Sequence, residues 1–214
     1  TIGGSLRGNA GCFGGEIAQI LESVQVLEIL NPKSDILDKF KIQNPNFKKF
    51  ELTNNEGKFS YRDSIFKKHP EWIILSATLR LKKGDPAEIQ KEVKRIVAER
   101  GQKQDIGTKT CGCIFKNTAW GKIGINKEKL IERFPEIGQF KNNSSIPSSF
   151  LLDRADLKGK RVGRVFISPK HANFFVNEGG ASAAEVIELI EFAKREVEKK
   201  YGIKLAEEIV YVGF

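Results

Sequence analysis

The chain has 214 residues, of which 40% are hydrophobic and 29% are charged, and its formal net charge is +9. No apolar run approaches the ~20 residues that a membrane-spanning helix needs, and no signal-peptide pattern opens the sequence. The three cysteines are an odd number, which fits a reducing compartment better than a disulfide framework, so a cytoplasmic protein is expected.

Most of the excess positive charge comes from lysines, several of which occur as adjacent pairs. Such pairs usually belong to a solvated surface, and the other interpretations are an anionic small molecule or a nucleic acid as ligand. The sequence contains no continuous basic stripe with interleaved aromatic residues and no recognition-helix or RNA-binding signature. We therefore expect neither a nucleic acid nor a membrane as partner, and we expect a monomer.

The first 17 residues contain six glycines, at positions 3, 4, 8, 11, 14 and 15. A run of this kind offers bare backbone amides that can approach a phosphate or a flat ring. The spacing differs from the dinucleotide fingerprint, so a Rossmann fold is not expected, and a glycine-rich turn between packed elements is the alternative. The chain starts with Thr1 and contains no methionine, which predicts a fragment or a processed product.

The pattern of apolar residues predicts two strands and one helix in the first part of the chain. Residues 22–29 alternate as in a half-buried strand, whereas the polar, lysine-rich residues 31–50 suit an excursion on the surface. The strand at 72–81 is expected to place four apolar side chains on one face: Leu75, Ala77, Leu79 and Leu81. The helix is predicted from an N-cap at Asp85 to Gly101. Its apolar stripe consists of Ile89, Val93, Ile96 and Val97.

Short helices and strands alternate irregularly in the second part of the chain. We predict a capped helix at 126–134, a loop at 138–147, a helical turn at 149–157, a strand at 161–168, a helix at 181–201 and a strand at 207–212. The long helix has the clearest ends, since Ser182 and Glu185 form a capping box and Gly202 follows its last turn. Because strands and helices mix without a strict βαβ order, the predicted fold class is α+β, with a separate unit from about residue 103 onward.

The segment 110–117 concentrates the most chemistry, because it places thiols, a cation and an amide around a flexible glycine. Three interpretations of its cysteines are open. Cys111 and Cys113 could bind a metal together with His69 or His171, although the spacing is far from the known zinc signatures. A cysteine hydrolase would use Cys113 as nucleophile and His171 as base. In the third interpretation, Cys113 is an acid that donates a proton in a basic, anion-binding site.

Three further residues have both a structural and a functional interpretation. Arg62 lies between aromatic residues, where an arginine usually stacks or binds a carboxylate or phosphate, but a surface arginine in a turn has the same pattern. His171 and two neighbouring amides border an apolar strand, and an isolated histidine is more often structural than a ligand or a base. Glu208 next to an apolar run is either a functional carboxylate or an ordinary acid at the edge of a strand.

Six motifs occur in an order that resembles the UDP-N-acetylenolpyruvoylglucosamine reductases of bacterial cell-wall synthesis. The motifs are NAGCFGGE at 9–16, YRDSIF at 61–66, GCIFKN at 112–117, LKGKRVG at 157–163, KHANFFVN at 170–177 and LAEE at 205–208. Any one of them would be weak alone, whereas six collinear motifs over essentially the whole chain are specific.

The resemblance implies a flavoenzyme of peptidoglycan synthesis. In that family NADPH reduces FAD, the reduced flavin passes a hydride to the enolpyruvyl double bond of a UDP-sugar, and a side-chain acid protonates the adjacent carbon. It also implies that residues 1–102 are the C-terminal part of an α+β FAD-binding domain of the PCMH/VAO type, whose N-terminal subdomain is absent. Residues 103–214 would then be a smaller α+β substrate-binding domain. The alternative is a non-catalytic module that binds a nucleotide-sugar or a nucleic acid.

The resemblance also assigns roles to individual residues. The catalytic positions are Arg62, near the enolpyruvyl carboxylate, Cys113, as proton donor, and Glu208, as C-terminal acid. The substrate-binding positions are Lys103, Asn117 and His171. The flavin-contacting positions are Gly3, Gly4, Asn9, Ala10, Gly11, Gly14, Gly15, Glu16 and Ile17, and no metal is expected. The family usually has serine at the position of Cys113, which makes this thiol the main departure of the chain from its relatives.

Overall fold

The computed structural model describes residues 1–30, 46–105, 107–124 and 126–213. It contains both helices and antiparallel sheets, which confirms the α+β class. Contacts between residues divide the chain into two compact units, Thr1–Gly84 (unit 1) and Asp85–Phe214 (unit 2). No helix among the described residues is both long enough and apolar enough to cross a membrane.

Unit 1 is built around an antiparallel sheet. Its elements are α1 (Ile2–Arg7), β1 (Gly11–Cys12), β2 (Gly15–Glu16), β3 (Leu21–Leu30), β4 (Asn46–Thr53) and β5 (Trp72–Leu79), with short 3-10 helices at Ile17–Gln19 and Ile65–Lys67. The sheet has the order β4-β3-β5, so the predicted strand at 22–29 becomes its central strand. Val24 and Val26 of β3 are buried and pack with Leu6 of α1 and with Phe66.

The predicted surface excursion at 31–50 is wrong in its last part. Residues 46–50 form the start of β4, which pairs with β3 from Asn46 opposite Leu30 onward. Residues 31–45 lie outside the described residues. Alternation in this strand is obscured in the sequence because the aromatic residues Phe47 and Phe50 are separated by two lysines.

A bulge in β5 changes the predicted face of this strand. In the pairing of β5 with β3, Gln25 lies opposite Ser76, and the next residue, Val26, lies opposite Ile74. Leu75 is therefore an extra residue on β5 with no partner position on β3. An extra residue reverses the alternation of side chains beyond it. Leu75 is consequently 48% exposed instead of sharing a buried face with Ala77.

The glycine-rich start of the chain forms a tight hairpin. The turn between β1 and β2 consists of Phe13 and Gly14, both with positive φ, as a type I′ hairpin turn requires. A Cβ on Gly11 would lie 2.6 Å from the carbonyl oxygen of Gly15 and 2.8 Å from Cγ of Glu16. Glycine is therefore required at this position by the approach of the opposite strand.

We expect Gly11→Ala to lower the free energy of unfolding of unit 1 by roughly 1–3 kcal/mol, because the added methyl group overlaps β2. Urea denaturation followed by circular dichroism measures this change. The matched control is Gly15→Ala, where the nearest atom to the new Cβ would be the Cys12 carbonyl oxygen at 3.7 Å. Equal losses for both variants would contradict the overlap argument.

Unit 2 begins with a long helix, followed by short strands and helices. Its elements are α2 (Pro86–Lys103), β6 (Thr118–Ala119), α3 (Lys127–Arg133), β7 (Ser145–Ile146), α4 (Ser148–Arg154), β8 (Arg161–Val162), β9 (Val165–Ile167), β10 (Phe175–Asn177) and α5 (Ala183–Tyr201). Strands β6 and β7 pair with each other, and β10, β9 and β8 form a second antiparallel sheet.

Helix α2 has the predicted start but not the predicted end or the expected burial. The carboxylate of Asp85 accepts hydrogen bonds from the amides of Ala87 and Glu88, as an N-cap should, but the helix continues past Gly101 to Lys103. None of its described side chains is buried. Three members of its apolar stripe are more than half exposed: Ile89, Val93 and Val97.

Helix α5 carries the core of unit 2. The capping box of Ser182 and Glu185 and the left-handed Gly202 are both present, which confirms the predicted ends of the helix. The residues of its inner face are buried: Leu189, Ile190, Ala193, Val197 and Tyr201. They pack with Ile114, Leu151 and Ile167 of the surrounding elements.

Three predictions for unit 2 are wrong in detail. The predicted strand at 161–168 is a hairpin, since Gly163 with φ 51° lets the chain turn between β8 and β9. The predicted loop at 138–147 contains part of the 3-10 helix Pro135–Phe140 and strand β7. Among the described residues, the predicted strand at 207–212 is reduced to one β-bridge, between Phe115 and Glu207.

Candidate active site

Hydrogen bonds in unit 1 join the two motifs at 9–16 and 61–66. The side-chain amide of buried Asn9 donates to the Glu16 carboxylate at 2.8 Å and to the Ser60 carbonyl at 3.1 Å. The Arg62 guanidinium donates to the Gly11 carbonyl at 3.1 Å. The buried side chain of Ser64 donates to the carbonyl of Arg7 at 2.8 Å. Two motifs about 50 residues apart in sequence thus form one connected surface.

Arg62 lies in a constrained turn. Its φ is 54°, in the left-handed region that side chains other than glycine rarely adopt. The Nζ atom of Lys67 donates to its carbonyl at 2.7 Å, and its guanidinium carbon lies 5.2 Å from the centre of the Tyr61 ring. The guanidinium is half-buried and is oriented by the Gly11 carbonyl and the Tyr61 ring.

The glycines that resemble flavin-contacting residues fall into two settings. Gly3 and Gly4 lie in α1, and Gly14 and Gly15 lie at the tip of the hairpin, where both are exposed. A Cβ on Gly14 would meet no atom within 4 Å. The Gly14 and Gly15 part of the tip therefore exposes main chain beside the exposed Phe13 ring, which fits a ligand held partly by main-chain contacts, such as a flat ring or a phosphate.

In unit 2, the segment that carries Cys113 lies between two other stretches of chain. On one side Cys113 forms a β-bridge with Phe174, and the amide of Ile114 donates to the Asn173 carbonyl at 2.9 Å. On the other side the amide of Glu208 donates to the Ile114 carbonyl at 2.7 Å. The motifs at 112–117, 170–177 and 205–208 are thereby brought together, with Cys113 half-buried among them.

The residue before Glu208 fixes this stretch to α5. The carboxylate of Glu207 forms an ion pair with Lys194, which also pairs with Glu191 at 2.7 Å. Burial acts to lower the pKa of Lys194, but hydrogen bonds to both carboxylates outweigh it and raise the pKa above its ordinary value.

Asn117 holds the start of α4. Its side-chain oxygen accepts a hydrogen bond from the amide of Ser148 at 3.4 Å, and the buried Ser148 hydroxyl donates to the carbonyl of Lys116. Thr118 and Ala119 then continue as strand β6. The Lys116 carbonyl and the Asn117 side chain therefore fix this segment to the start of α4.

His171 lies in the turn that leads into the 173–174 stretch. Its amide donates to the buried Ser168 hydroxyl at 3.0 Å, and that hydroxyl donates to the Asp105 carboxylate. Among the described residues, the buried Nδ1 atom of His171 has no hydrogen-bond partner. Burial lowers the pKa of His171 below 6.5, and the nearby Asp105 charge acts in the opposite direction.

We expect the imidazole of His171 to titrate with a midpoint below 6.5, because burial disfavours its charged form. An NMR titration of the ring protons measures this, with His69→Gln used to assign the two histidine signals. Asp105→Asn should lower the midpoint further, since it removes a charge that favours the imidazolium. A midpoint at or above 6.5 in the parent chain would contradict this burial effect.

Two of the other predicted residues have simpler settings. Lys103 is the last residue of α2 and pairs with Glu99 at 2.7 Å on an exposed surface. Cys111 is exposed, as is Cys12. Within the part of the chain that the structure describes, no group of three or more potential metal ligands is placed to hold a metal ion.

The sequence interpretation assigned no role to Asn173 or Lys194, although both contact the stretches that hold Cys113 and Glu208. Asn173 stands inside the 170–177 motif, so its position in the sequence was a sign of importance. Lys194 lies on a helix in a lysine-rich chain and has no sequence feature that separates it from a surface lysine. Only the fold shows that it reaches Glu207.

Comparisons with known proteins agree on one family. A family model described as UDP-N-acetylenolpyruvoylglucosamine reductase, C-terminal domain, matches residues 102–212. A reductase of that name from Caldanaerobacter subterraneus subsp. tengcongensis is 32% identical over 213 residues, which cover 100% of this chain and 57% of the relative. One from Chloroflexus aurantiacus is also 32% identical, over 98% of this chain and 58% of the relative.

A solved structure gives the same result. The crystal structure of UDP-N-acetylenolpyruvylglucosamine reductase from Thermus caldophilus is similar with a TM-score of 0.62 and 28% sequence identity. The match covers 95% of this chain and 58% of that chain. The chain thus spans somewhat more than half the length of the curated relatives it matches.

Proposed function

Because the chain belongs to the UDP-N-acetylenolpyruvoylglucosamine reductase family, we propose that it contributes to the NADPH-dependent, FAD-dependent reduction of UDP-N-acetylglucosamine-enolpyruvate to UDP-N-acetylmuramate. The observation that carries this proposal is the assembly of the family motifs. Those at 9–16 and 61–66 are joined by hydrogen bonds in unit 1, and those at 112–117, 170–177 and 205–208 adjoin in unit 2. The expected cytoplasmic location and monomeric state remain predictions.

We place the flavin on the N-terminal part of the chain. Residues 1–102 would be part of a FAD-binding domain of the PCMH/VAO type, and the exposed main chain of Gly14 and Gly15 at the hairpin tip supports contact with this cofactor. When bound, FAD supplies hydride transfer from NADPH to the enolpyruvyl double bond. Asn9 and Glu16 would shape the contacting loop, since their hydrogen bond fixes its base.

Arg62 would orient the enolpyruvyl carboxylate. A guanidinium presents a planar set of donors that matches a carboxylate, and a fixed cation lowers the energy of the negative charge that develops next to that carboxylate during hydride addition. The Gly11 carbonyl and the Tyr61 ring support this role, because they orient the guanidinium before substrate binds. The positive charge of the chain also suits a diphosphate substrate.

Cys113 would protonate the carbon next to the one that receives the hydride. A thiol is a stronger acid than the hydroxyl of the serine that the family usually has, but it has a proton to give only while it remains a thiol. Glu208 would act as the second acid of the site, and its main-chain bond to Ile114 supports a location next to the cysteine. Residues 103–214 would form the substrate-binding domain, with Lys103, Asn117 and His171 as its contacts.

Calorimetric titration of the chain tests the substrate class. We expect UDP-N-acetylglucosamine-enolpyruvate to bind with a Kd on the order of 1 μM–1 mM, and Asn117→Ala to weaken it about tenfold by removing a polar contact. Asn143→Ala, which replaces an exposed asparagine of unit 2, is the control and should leave the Kd unchanged. Salt-dependent binding of an oligonucleotide, without binding of the UDP-sugar, would favour a nucleic-acid-binding module instead.

A further inference from the structure

The stretch that carries Cys113 loses its main-chain partner on one side at Phe115. The amide of Ile114 still pairs with the Asn173 carbonyl. At Phe115 the partner is a side chain instead: the Asn173 side-chain oxygen accepts from the Phe115 amide at 2.9 Å, and the Asn173 amide group donates to the Phe115 carbonyl at 2.8 Å. One asparagine therefore satisfies both polar groups of one peptide residue, as a neighbouring strand would.

These contacts lie in the interior of unit 2. Asn173 is 2% exposed, and Phe115 is 1% exposed. Water cannot replace the side chain there, so losing it would leave a buried N–H and a buried carbonyl without partners. The opposite side of the stretch does not compensate, because its bonds to Ala206 and Glu208 use the amide of Lys116 and the carbonyl of Ile114.

We propose that Asn173 is the positioning residue that sets the location of the Cys113 thiol in the reductase site. The proposal rests on the proposed role of Cys113 as proton donor. Asn173 would act through Phe115 and Ile114, which follow Cys113 directly, and would make no contact with substrate. Its two side-chain bonds and one main-chain bond hold the Cys113 stretch in a fixed position against the 173–174 stretch.

Alkylation of the cysteine thiols in the 214-residue chain and its variants directly tests whether Asn173 positions Cys113. The rate of alkylation by iodoacetamide is measured at each cysteine by peptide mass spectrometry over a range of pH. In Asn173→Ala, we expect alkylation of Cys113 to become about tenfold faster with an altered pH profile, because the released stretch opens locally. Cys12 and Cys111, which are already exposed, serve as references in the same molecule and should change little.

The matched control is Asn177→Ala. Asn177 is also an asparagine of this motif whose side chain accepts main-chain hydrogen bonds, but from Gly179 and Ala181 instead of the cysteine stretch. Asn177→Ala should leave the rate of Cys113 alkylation and its pH dependence the same as in the parent chain. An unchanged Cys113 profile in Asn173→Ala, or the same change in Asn177→Ala, would overturn the proposal.

Two further measurements keep the test decisive if Asn173→Ala does not fold. Asn173→Gln retains both the amide oxygen and the amide group but displaces them by one methylene group, and it should give an intermediate change in Cys113 alkylation. In the parent chain, hydrogen exchange at the Phe115 amide should be as slow as at Ile114. Rapid exchange at Phe115 in a folded parent chain would overturn the proposal without any variant.

Kinetics separate this proposal from the proposed function. In a flavin-loaded fusion, made of this chain and the part of the Caldanaerobacter relative that it does not span, Asn173→Ala should lower kcat about 10²-fold with little change in KM. A parent fusion without reductase activity would remove the proposed function, while alkylation and exchange would still decide the role of Asn173. An active parent with an unchanged kcat in Asn173→Ala would overturn the positioning role alone.

Discussion

Cys113→Ala is expected to lower kcat of the flavin-loaded fusion by about 10²–10⁴-fold, which is the usual contribution of a positioned general acid. The methyl group cannot supply the proton that completes the reduction. After hydride transfer, completion of the reduction would then depend on protonation of the adjacent carbon by water. Steady-state rates of NADPH oxidation in the presence of the UDP-sugar measure the loss.

Two further variants show whether the loss of kcat in Cys113→Ala results from the loss of proton donation. Cys111→Ala changes an exposed cysteine two residues away and should retain the parent kcat. Cys113→Ser restores the group found in the family and should retain activity at high pH, where a thiol loses its proton more readily than a hydroxyl does. An alkaline limb that is the same for cysteine and serine at position 113 would remove this residue from the donor role.

Ile190→Ala is expected to lower the free energy of unfolding of unit 2 by about 2–5 kcal/mol, because it leaves a cavity in the core. Ile190 lies in the middle of α5 and is 0% exposed. Urea denaturation followed by circular dichroism measures the change through the urea midpoint.

The matched control is Ile89→Ala in the middle of α2, where the side chain is 51% exposed. Alanine is the better helix former, so we expect a change within about 0.5 kcal/mol. A loss at position 89 as large as that at position 190 would contradict the exposure of the α2 stripe.

The sequence predicted best those elements whose ends are fixed by local contacts. Helix α5 was found with both caps because the capping box and Gly202 act within a few residues of each other. The N-cap of α2 at Asp85 was found for the same reason. Such signals depend on neighbours in the chain, so they do not require knowledge of the fold.

Features that depend on distant partners were missed. The face of β5 was misjudged because the bulge at Leu75 arises from its register with β3, which no local pattern records. The apolar stripe of α2 predicted a buried face, although periodicity alone cannot say which surface covers a helix. The strand predicted at 207–212 ends early because, within the described part of the chain, its bridge partner is found at Glu207 alone, opposite Phe115.

The candidate site was predicted as a set of residues but not as an arrangement. Motif order pointed to Cys113 and Glu208, and the fold adds that their stretches are neighbours through the bond between Glu208 and Ile114. The roles of the supporting residues could not be read in advance. Asn173 and Lys194 act through contacts with residues distant in sequence, at Phe115 and Glu207.

The most direct test of the proposed function is NADPH consumption by the flavin-loaded fusion when UDP-N-acetylglucosamine-enolpyruvate is added. We expect NADPH to be consumed in equal amount to the UDP-sugar, the product to be UDP-N-acetylmuramate, and Cys113→Ala nearly to abolish turnover. A fusion that retains FAD but consumes no NADPH on addition of this substrate would contradict the proposed function. A Cys113→Ala fusion as fast as its parent would contradict the proposed mechanism.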